Sequence, residues 1–203
     1  MPTTGEFGPR GGIGDYEYHK KAATRFGTSI VSSREDRFNN IGTPSPDNTQ
    51  VRMTDGVLFF EADALADGVT VEKADYNMIA VDAGVKYHGF SVQLEMYARR
   101  LSDFQASGAL PMSSITDYGY SLQVSQLVIP RRLVIYGINS YFWDHFKRHP
   151  YEFGGGFNFY PINSRTWRLN AQIMRVYKSS AGGTFGLYTA GQTGTTITLG
   201  TDI

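Results

Sequence analysis

Residues 76–101 read YNMIAVDAGVKYHGFSVQLEMYARRL, and this stretch decides the fold. In its first arm Ile79, Val81, Ala83 and Val85 fall on one side and Ala80, Asp82, Gly84 and Lys86 on the other. After Tyr87-His88-Gly89, a second arm sets Phe90, Val92, Leu94, Met96 and Ala98 against Ser91, Gln93, Glu95, Tyr97 and Arg99. A strand sends successive side chains to opposite faces, so period two over this length predicts a β-hairpin and not a helix. Each arm is about ten residues long, the length of a tilted strand crossing a bilayer. Soluble strands average nearer five or six residues. The hairpin therefore poses one question for the whole chain: whether its apolar face meets a protein core or lipid.

The pattern recurs outward from the hairpin. Alternation predicts strands at 22–33, 51–61, 117–129, 133–142, 151–160, 167–177 and 195–203, about nine in all with the hairpin arms. Short turns are expected near 87–89, 129–132 and 161–166, and long loops near 62–75, 102–116, 143–150 and 178–193. Residues 1–21 read as a Gly/Pro-rich and then charged loop. A strand at 51–61 puts the polar connection at 34–50, with its two prolines, on the short-turn side, which breaks the alternation of loop lengths. Short turns on one side and long loops on the other are the layout of an outer-membrane barrel, with the short turns periplasmic.

Composition narrows the classes. Nineteen basic and nineteen acidic residues cancel, so charge implies no bulk attraction to nucleic acid. The absence of cysteine excludes disulfides, thiolate metal sites and a cysteine nucleophile. No run of about eighteen apolar residues predicts a membrane helix, which leaves a strand-built membrane protein open. Glycine, at 23 residues, is abundant alongside 13 Tyr and 13 Phe, a pairing typical of barrels with aromatic girdles. The start, MPTTGEFGPRGG, lacks the basic and apolar regions of a secretory signal. An exported barrel needs a leader, so the expectation is a leader already removed or a chain that is part of a longer one.

The polar face carries mostly Gly, Ser, Thr, Asn and Gln with few charges, as a confined aqueous lumen would. The apolar face has Tyr118, Phe159, Trp167 and Tyr177 near strand ends, where amphipathic rings suit lipid headgroups. A soluble β-sandwich that buries these aromatics in its core and binds a ligand is the competing reading.

Several stretches resemble the phosphate-selective porin O/P family: MPTTGEFGPRGG at 1–12 with ATRFG at 23–27, VDAGVKYHGFSVQLEMY at 81–97, residues 151–160, RLNAQI at 168–173 and TFGLYTAGQTG at 184–194. The KYxGFS element of the hairpin is the most specific of them. The resemblance implies an all-β antiparallel meander forming a transmembrane β-barrel of about sixteen to eighteen strands in the bacterial outer membrane. It further implies a homo-trimer, contact with lipid and lipopolysaccharide, and passage of small inorganic anions or other small solutes. Nine strands are about half of such a barrel, and the C-terminal Thr-Asp-Ile replaces the usual terminal aromatic residue. The expectation is a single porin-like domain over 1–203 that lacks its N-terminal portion.

Anion selectivity in a pore comes from Arg and Lys lining it. The candidate pore-lining residues are Arg25, Arg52, Asp82, Lys86, Glu95, Arg99, Glu152 and Arg168. Two readings stand side by side: a mixed-charge path guiding anions, and salt bridges that stiffen the wall. No phosphate-binding motif is recognisable among these residues. No enzyme is expected, because no Ser-His-Asp set can be assembled from the turn and loop histidines, and no cofactor or metal is called for. His145 and His149 are four apart, but in a loop that spacing fixes no metal geometry. The functional expectation is a passive diffusion channel. The alternatives are a non-channel barrel serving as a structural or adhesion platform, and the soluble sandwich.

Overall fold

The structure is a computed structural model that describes residues 2–7, 14–37, 51–180 and 191–202. Most of the 34–50 connection, part of the 184–194 stretch and Ile203 lie outside the described residues. The described chain is all-β, a single nine-stranded antiparallel sheet in strict sequence order. Its strands are β1 (Pro2–Thr4), β2 (Ala23–Asp36), β3 (Val71–Tyr87), β4 (Phe90–Ala106), β5 (Ser114–Ile129), β6 (Leu133–Trp143), β7 (Tyr151–Phe159), β8 (Arg168–Tyr177) and β9 (Gly194–Asp202). Among the described residues β1 and β9 are the outermost strands of this sheet.

The opening hairpin is β3 and β4, and each strand runs 17 residues, well beyond the ten that alternation marks. Its turn is His88-Gly89, with φ of +49° and +82°. Two positive φ values make the tight primed turn whose twist matches paired strands, and Gly89 takes the second position without steric penalty. Pairing Tyr87 with Phe90 then fixes the register down the hairpin: Val85 opposite Val92, Ala83 opposite Leu94, Val81 opposite Met96, Ile79 opposite Ala98.

Register carries the two faces across the sheet. Leu94 pairs with Leu122, Leu122 with Asn139, Asn139 with Phe153 and Phe153 with Arg175. One face holds Phe26, Ile30, Ile79, Val85, Met96, Tyr118, Trp143, Phe153, Ile173, Ile197 and Leu199, all large and all exposed. Asn139 lies within this apolar field, and both ends of its amide are satisfied, by the Tyr120 hydroxyl at 2.5 Å and the Glu152 carbonyl at 2.9 Å. Among the described residues no second layer covers this face.

Three expectations need correcting. Residues 51–61 are not a crossing strand: β2 pairs directly with β3 from Ala23–Lys86 to Asp36–Lys73. The stretch folds back on itself through a single Arg52–Leu58 bridge, turning at Asp55-Gly56, where Gly56 has φ +83°. The loops expected at 62–75 and 102–116 shrink as well, because β3 begins at Val71, β4 runs to Ala106 and β5 starts at Ser114. Within the presumed N-terminal loop, Pro2–Thr4 pairs with the edge of β2. The connections after β2, β4, β6 and β8 share one end, the long-loop end, named for those at 37–70 and 178–193. Those after β3, β5 and β7 share the other, the short-turn end, named for the turns at 88–89 and 130–132, although the β7–β8 connection at 160–167 is no shorter than those at 107–113 and 144–150.

The buried apolar residues lie on the polar side of the sheet, at its long-loop end. Met53, Phe59 and Phe60 pack against Val71, Ala74, Leu101 and Ile115. Register shifts around Lys73 rotate β3 so that Val71 and Ala74 both turn toward this cluster. At the short-turn end Tyr16, Leu127, Val134 and Tyr160 form a smaller one.

Glycines on the polar face make room for neighbouring side chains. A Cβ on Gly119 would lie 2.5 Å from the Tyr97 hydroxyl, one on Gly84 2.7 Å from the Phe7 ring, and one on Gly156 2.8 Å from the Tyr136 hydroxyl. Tyr136 reaches across Gly156 to meet Gln172 at 2.9 Å and Asn170 at 2.8 Å. Gly119→Leu should therefore destabilise the fold by about 1–3 kcal/mol through overpacking, while Gly200→Ala, with open space at its Cβ position, should be nearly silent. Thermal unfolding of the two variants, followed by circular dichroism, checks this.

Candidate functional site

The sheet register places Arg25, Asp82, Lys86, Glu95, Arg99, Glu152 and Arg168 on the polar face, and Arg52 reaches it from the folded-back segment. They do not form one cluster. Arg99 and its cross-strand neighbour Asp117 make a 2.5 Å ion pair, both well shielded, and Arg99 also donates to the Arg52 carbonyl at 2.8 Å. The Arg52 guanidinium caps the Gly56 carbonyl at 2.8 Å. Farther along, Glu152 accepts from Ser140 at 3.2 Å. Toward the short-turn end Arg25 faces Asp82 at 3.2 Å, and Lys86 lies buried under the Phe7 ring with its ammonium 4.6 Å from the ring centre. Glu95, which pairs in register with Asp82, is exposed. Arg168 stands apart on the β8–β9 edge, ion-paired to Asp202.

Two cavities run along this face at the loop end. One, of about 210 Å³, is lined by Arg52, Thr54, Tyr97, Arg99, Asp117 and Phe142. The other, of about 190 Å³, shares Tyr97 and Phe142 and continues to Ser121, Ser140 and Glu152. The walls are hydroxyls, aromatic rings and charges of both signs.

The segment 51–60 is held over the sheet by a polar clamp that sequence reasoning missed. Asp144 is buried and accepts from the Thr54 hydroxyl at 2.6 Å and the Arg148 guanidinium at 2.6 Å. Arg148 also donates to Thr54 at 2.8 Å and pairs with Asp55. The Arg148 and His149 backbone amides point at the same Asp144 carboxylate. Nothing in the local sequence announces pairs about ninety positions apart. Asp117 was more accessible to reasoning, because it shares parity with Gly119, Ser121 and Gln123 on the polar face.

Comparison of the chain with protein-family models, with curated proteins and with solved structures finds no match.

Burial alone raises the Asp144 pKa, but the bonds from Thr54 and Arg148 outweigh it and hold the carboxyl below its ordinary range. A depressed folded-state pKa contributes stability that is present above the unfolded value and lost as pH falls through the folded one. Acidification through the lower carboxylate range should thus loosen 51–60. Arg148→Met should do the same at neutral pH, at a cost of about 1.5–3 kcal/mol. Faster hydrogen exchange at the Met53 and Phe59 amides, which bond to the Val57 and Val51 carbonyls, is the expected signal in both cases.

Proposed function

We propose that this chain builds the wall of an outer-membrane β-barrel channel through which small hydrophilic solutes, anions by preference, diffuse passively. The observation that carries this reading is the placement of aromatic rings on the uncovered apolar face. At the long-loop end Tyr141 sits 4.8 Å from Trp143 and 6.2 Å from Tyr151, and Tyr151 lies 4.9 Å from Tyr177, a belt across three strands. At the short-turn end Tyr87, Phe90 and Trp167 are exposed on the same face. Between the belts, from Ile79 to Val85 on β3 and Val92 to Ala98 on β4, every outward residue is apolar. Two aromatic girdles around an apolar band are what a headgroup–hydrocarbon–headgroup profile selects.

A soluble sandwich needs a second sheet on the apolar face, and among the described residues there is none. Lipid cannot satisfy unpaired backbone groups, so in this reading the edges at β1 and β9 are paired in a closed barrel. In the porin-like reading further strands complete a barrel of about sixteen to eighteen, and such barrels assemble as trimers in contact with lipopolysaccharide. The short turns face the periplasm and the long loops the exterior. Segment 51–60, which brings Arg52 over Arg99 and Asp117, forms the narrow part of the path. Arg25, Lys86 and Arg99 tilt it toward anions, with no phosphate-specific motif among them.

Planar-bilayer conductance under a salt gradient tests the proposal. The expected reversal potential has the sign of anion preference. Arg99→Gln should lower the anion-to-cation permeability ratio severalfold, whereas Arg175→Gln, on the apolar face beside Thr195, should leave it unchanged. Cation preference sinks the selectivity claim. Membrane insertion with no conductance favours a barrel that serves as a platform for its loops.

A further inference from the structure

The stretch preceding β2 returns to the polar face at the short-turn end and is tied there through one histidine. Asp15 is buried, and one of its oxygens accepts from the Gly89 amide at 2.8 Å and the His19 amide at 2.9 Å. The other meets His19 Nδ1. On the far side of the ring, His19 Nε2 lies 2.6 Å from the Glu6 carbonyl oxygen. A carboxylate and a carbonyl are both acceptors, so a ring held between them needs a hydrogen on each nitrogen, which is the imidazolium. The His19 carbonyl in turn accepts from the His88 amide at 2.8 Å, which fixes the ring above the β3–β4 turn.

Beyond Glu6 the chain places Phe7, nearly fully buried, in the slot left by Gly84. Its ring lies 4.6 Å from the Lys86 ammonium and 5.3 Å from the Arg25 guanidinium. Lys86 has Phe7 as its cap, and Arg25 has Asp82 alongside. Gly5–Phe7 is thus a cover over two cations of the proposed path.

We propose that His19 is a latch: doubly protonated it holds Gly5–Phe7 down over Lys86 and Arg25, and on losing one proton it releases them. Asp15, the charged acceptor, keeps the remaining hydrogen on Nδ1 because charge-assisted bonds are the stronger kind. The Nε2 lone pair then faces the Glu6 carbonyl at a distance that only a hydrogen bond tolerates, and the cover lifts. The groups facing the ring are Asp15 from its own segment, the Glu6 carbonyl, and Lys86 from β3, which opposes protonation. Burial lowers the His19 pKa, but the bonds to Asp15 and to the Glu6 carbonyl outweigh it and leave it above the ordinary histidine value. A raised folded-state pKa gives stability that is complete below the unfolded value and lost as pH rises through the folded one. The cover is therefore closed in acid and opens as pH rises past that point. Its consequence for anion passage, though not the latch itself, rests on the channel reading.

The sequence has no cysteine, so Glu6→Cys gives a single site for a nitroxide label, and the contact with His19 uses the backbone carbonyl, which the substitution leaves in place. Electron paramagnetic resonance of the full chain in detergent, between about pH 5 and pH 9, should show an immobilised label in acid. It should become mobile along a one-proton curve centred above the ordinary histidine value. In E6C/H19Q, where the amide donates at every pH, the label should stay immobilised throughout. In E6C/H19F it should be mobile throughout. A pH-independent spectrum with His19 present, or the same curve persisting in H19Q, overturns the proposal. Anion preference that grows with label mobility extends the latch to gating. A working latch in a protein without conductance sinks the channel reading and leaves the latch standing.

Discussion

The structure depends on a parity constraint. Because side chains alternate along an unbroken stretch of strand, the register set at the His88-Gly89 turn decides which face each residue from Tyr76 to Leu101 meets. A slip of one position would bring Asp82, Lys86, Glu95 and Arg99 out among Ile79, Val85 and Met96. A charge at the middle of a lipid face costs about 2–4 kcal/mol for Arg or Lys and less for an acid. In the channel reading, such errors in one hairpin would together remove a large fraction of a typical domain stability of about 5–15 kcal/mol. The register is pinned twice: by the turn itself, with His88 in a left-handed conformation that favours few non-glycine residues, and by Asp15, which takes the Gly89 amide.

The two faces then solve different packing problems. The outward face is mainly apolar and aromatic, and it accommodates Asn139, with both ends of its amide bonded within the sheet, and Arg175, which donates to the Thr195 hydroxyl. The polar face is crowded at both ends. Segment 51–60 lies over it at the loop end, clamped by Asp144 and Arg148, and residues 14–19 lie over it at the turn end, anchored by Asp15. Gly84 and Gly119 leave the space that Phe7 and Tyr97 occupy.

What the sequence discloses follows from the same physics. Alternation is local, so the hairpin, β5 to β9 and both faces of each were legible. The segment 51–61 was misread because Val51, Arg52, Met53 and Thr54 alternate like a strand. The Asp55-Gly56 pair that ends the alternation, and the Val57-Leu58-Phe59-Phe60 run that follows, were the available signals for a folded-back buried loop. The outer reaches of β3 and β4 escaped notice because there the strands leave the apolar band and carry polar residues on both faces, as in the Arg34 ion pairs with Asp75 and Asp103. Seven of the eight candidate charges lie on the face that alternation assigns them, Arg52 comes instead from the folded-back segment, and the eight do not form one group. Asp117, Asp144 and Arg148, which organise the loop end, belong to pairs formed only by the fold.

The central claim is that the apolar face meets lipid, and the protein carries its own reporters. Both tryptophans lie on that face, Trp143 at the loop end and Trp167 at the turn end, and both are exposed. In vesicles containing lipids brominated at defined depths, their fluorescence should be quenched most by bromines near the headgroups and less by bromines near the bilayer centre, with water-soluble iodide quenching weakly. Full quenching by iodide with none from any brominated lipid would contradict the account.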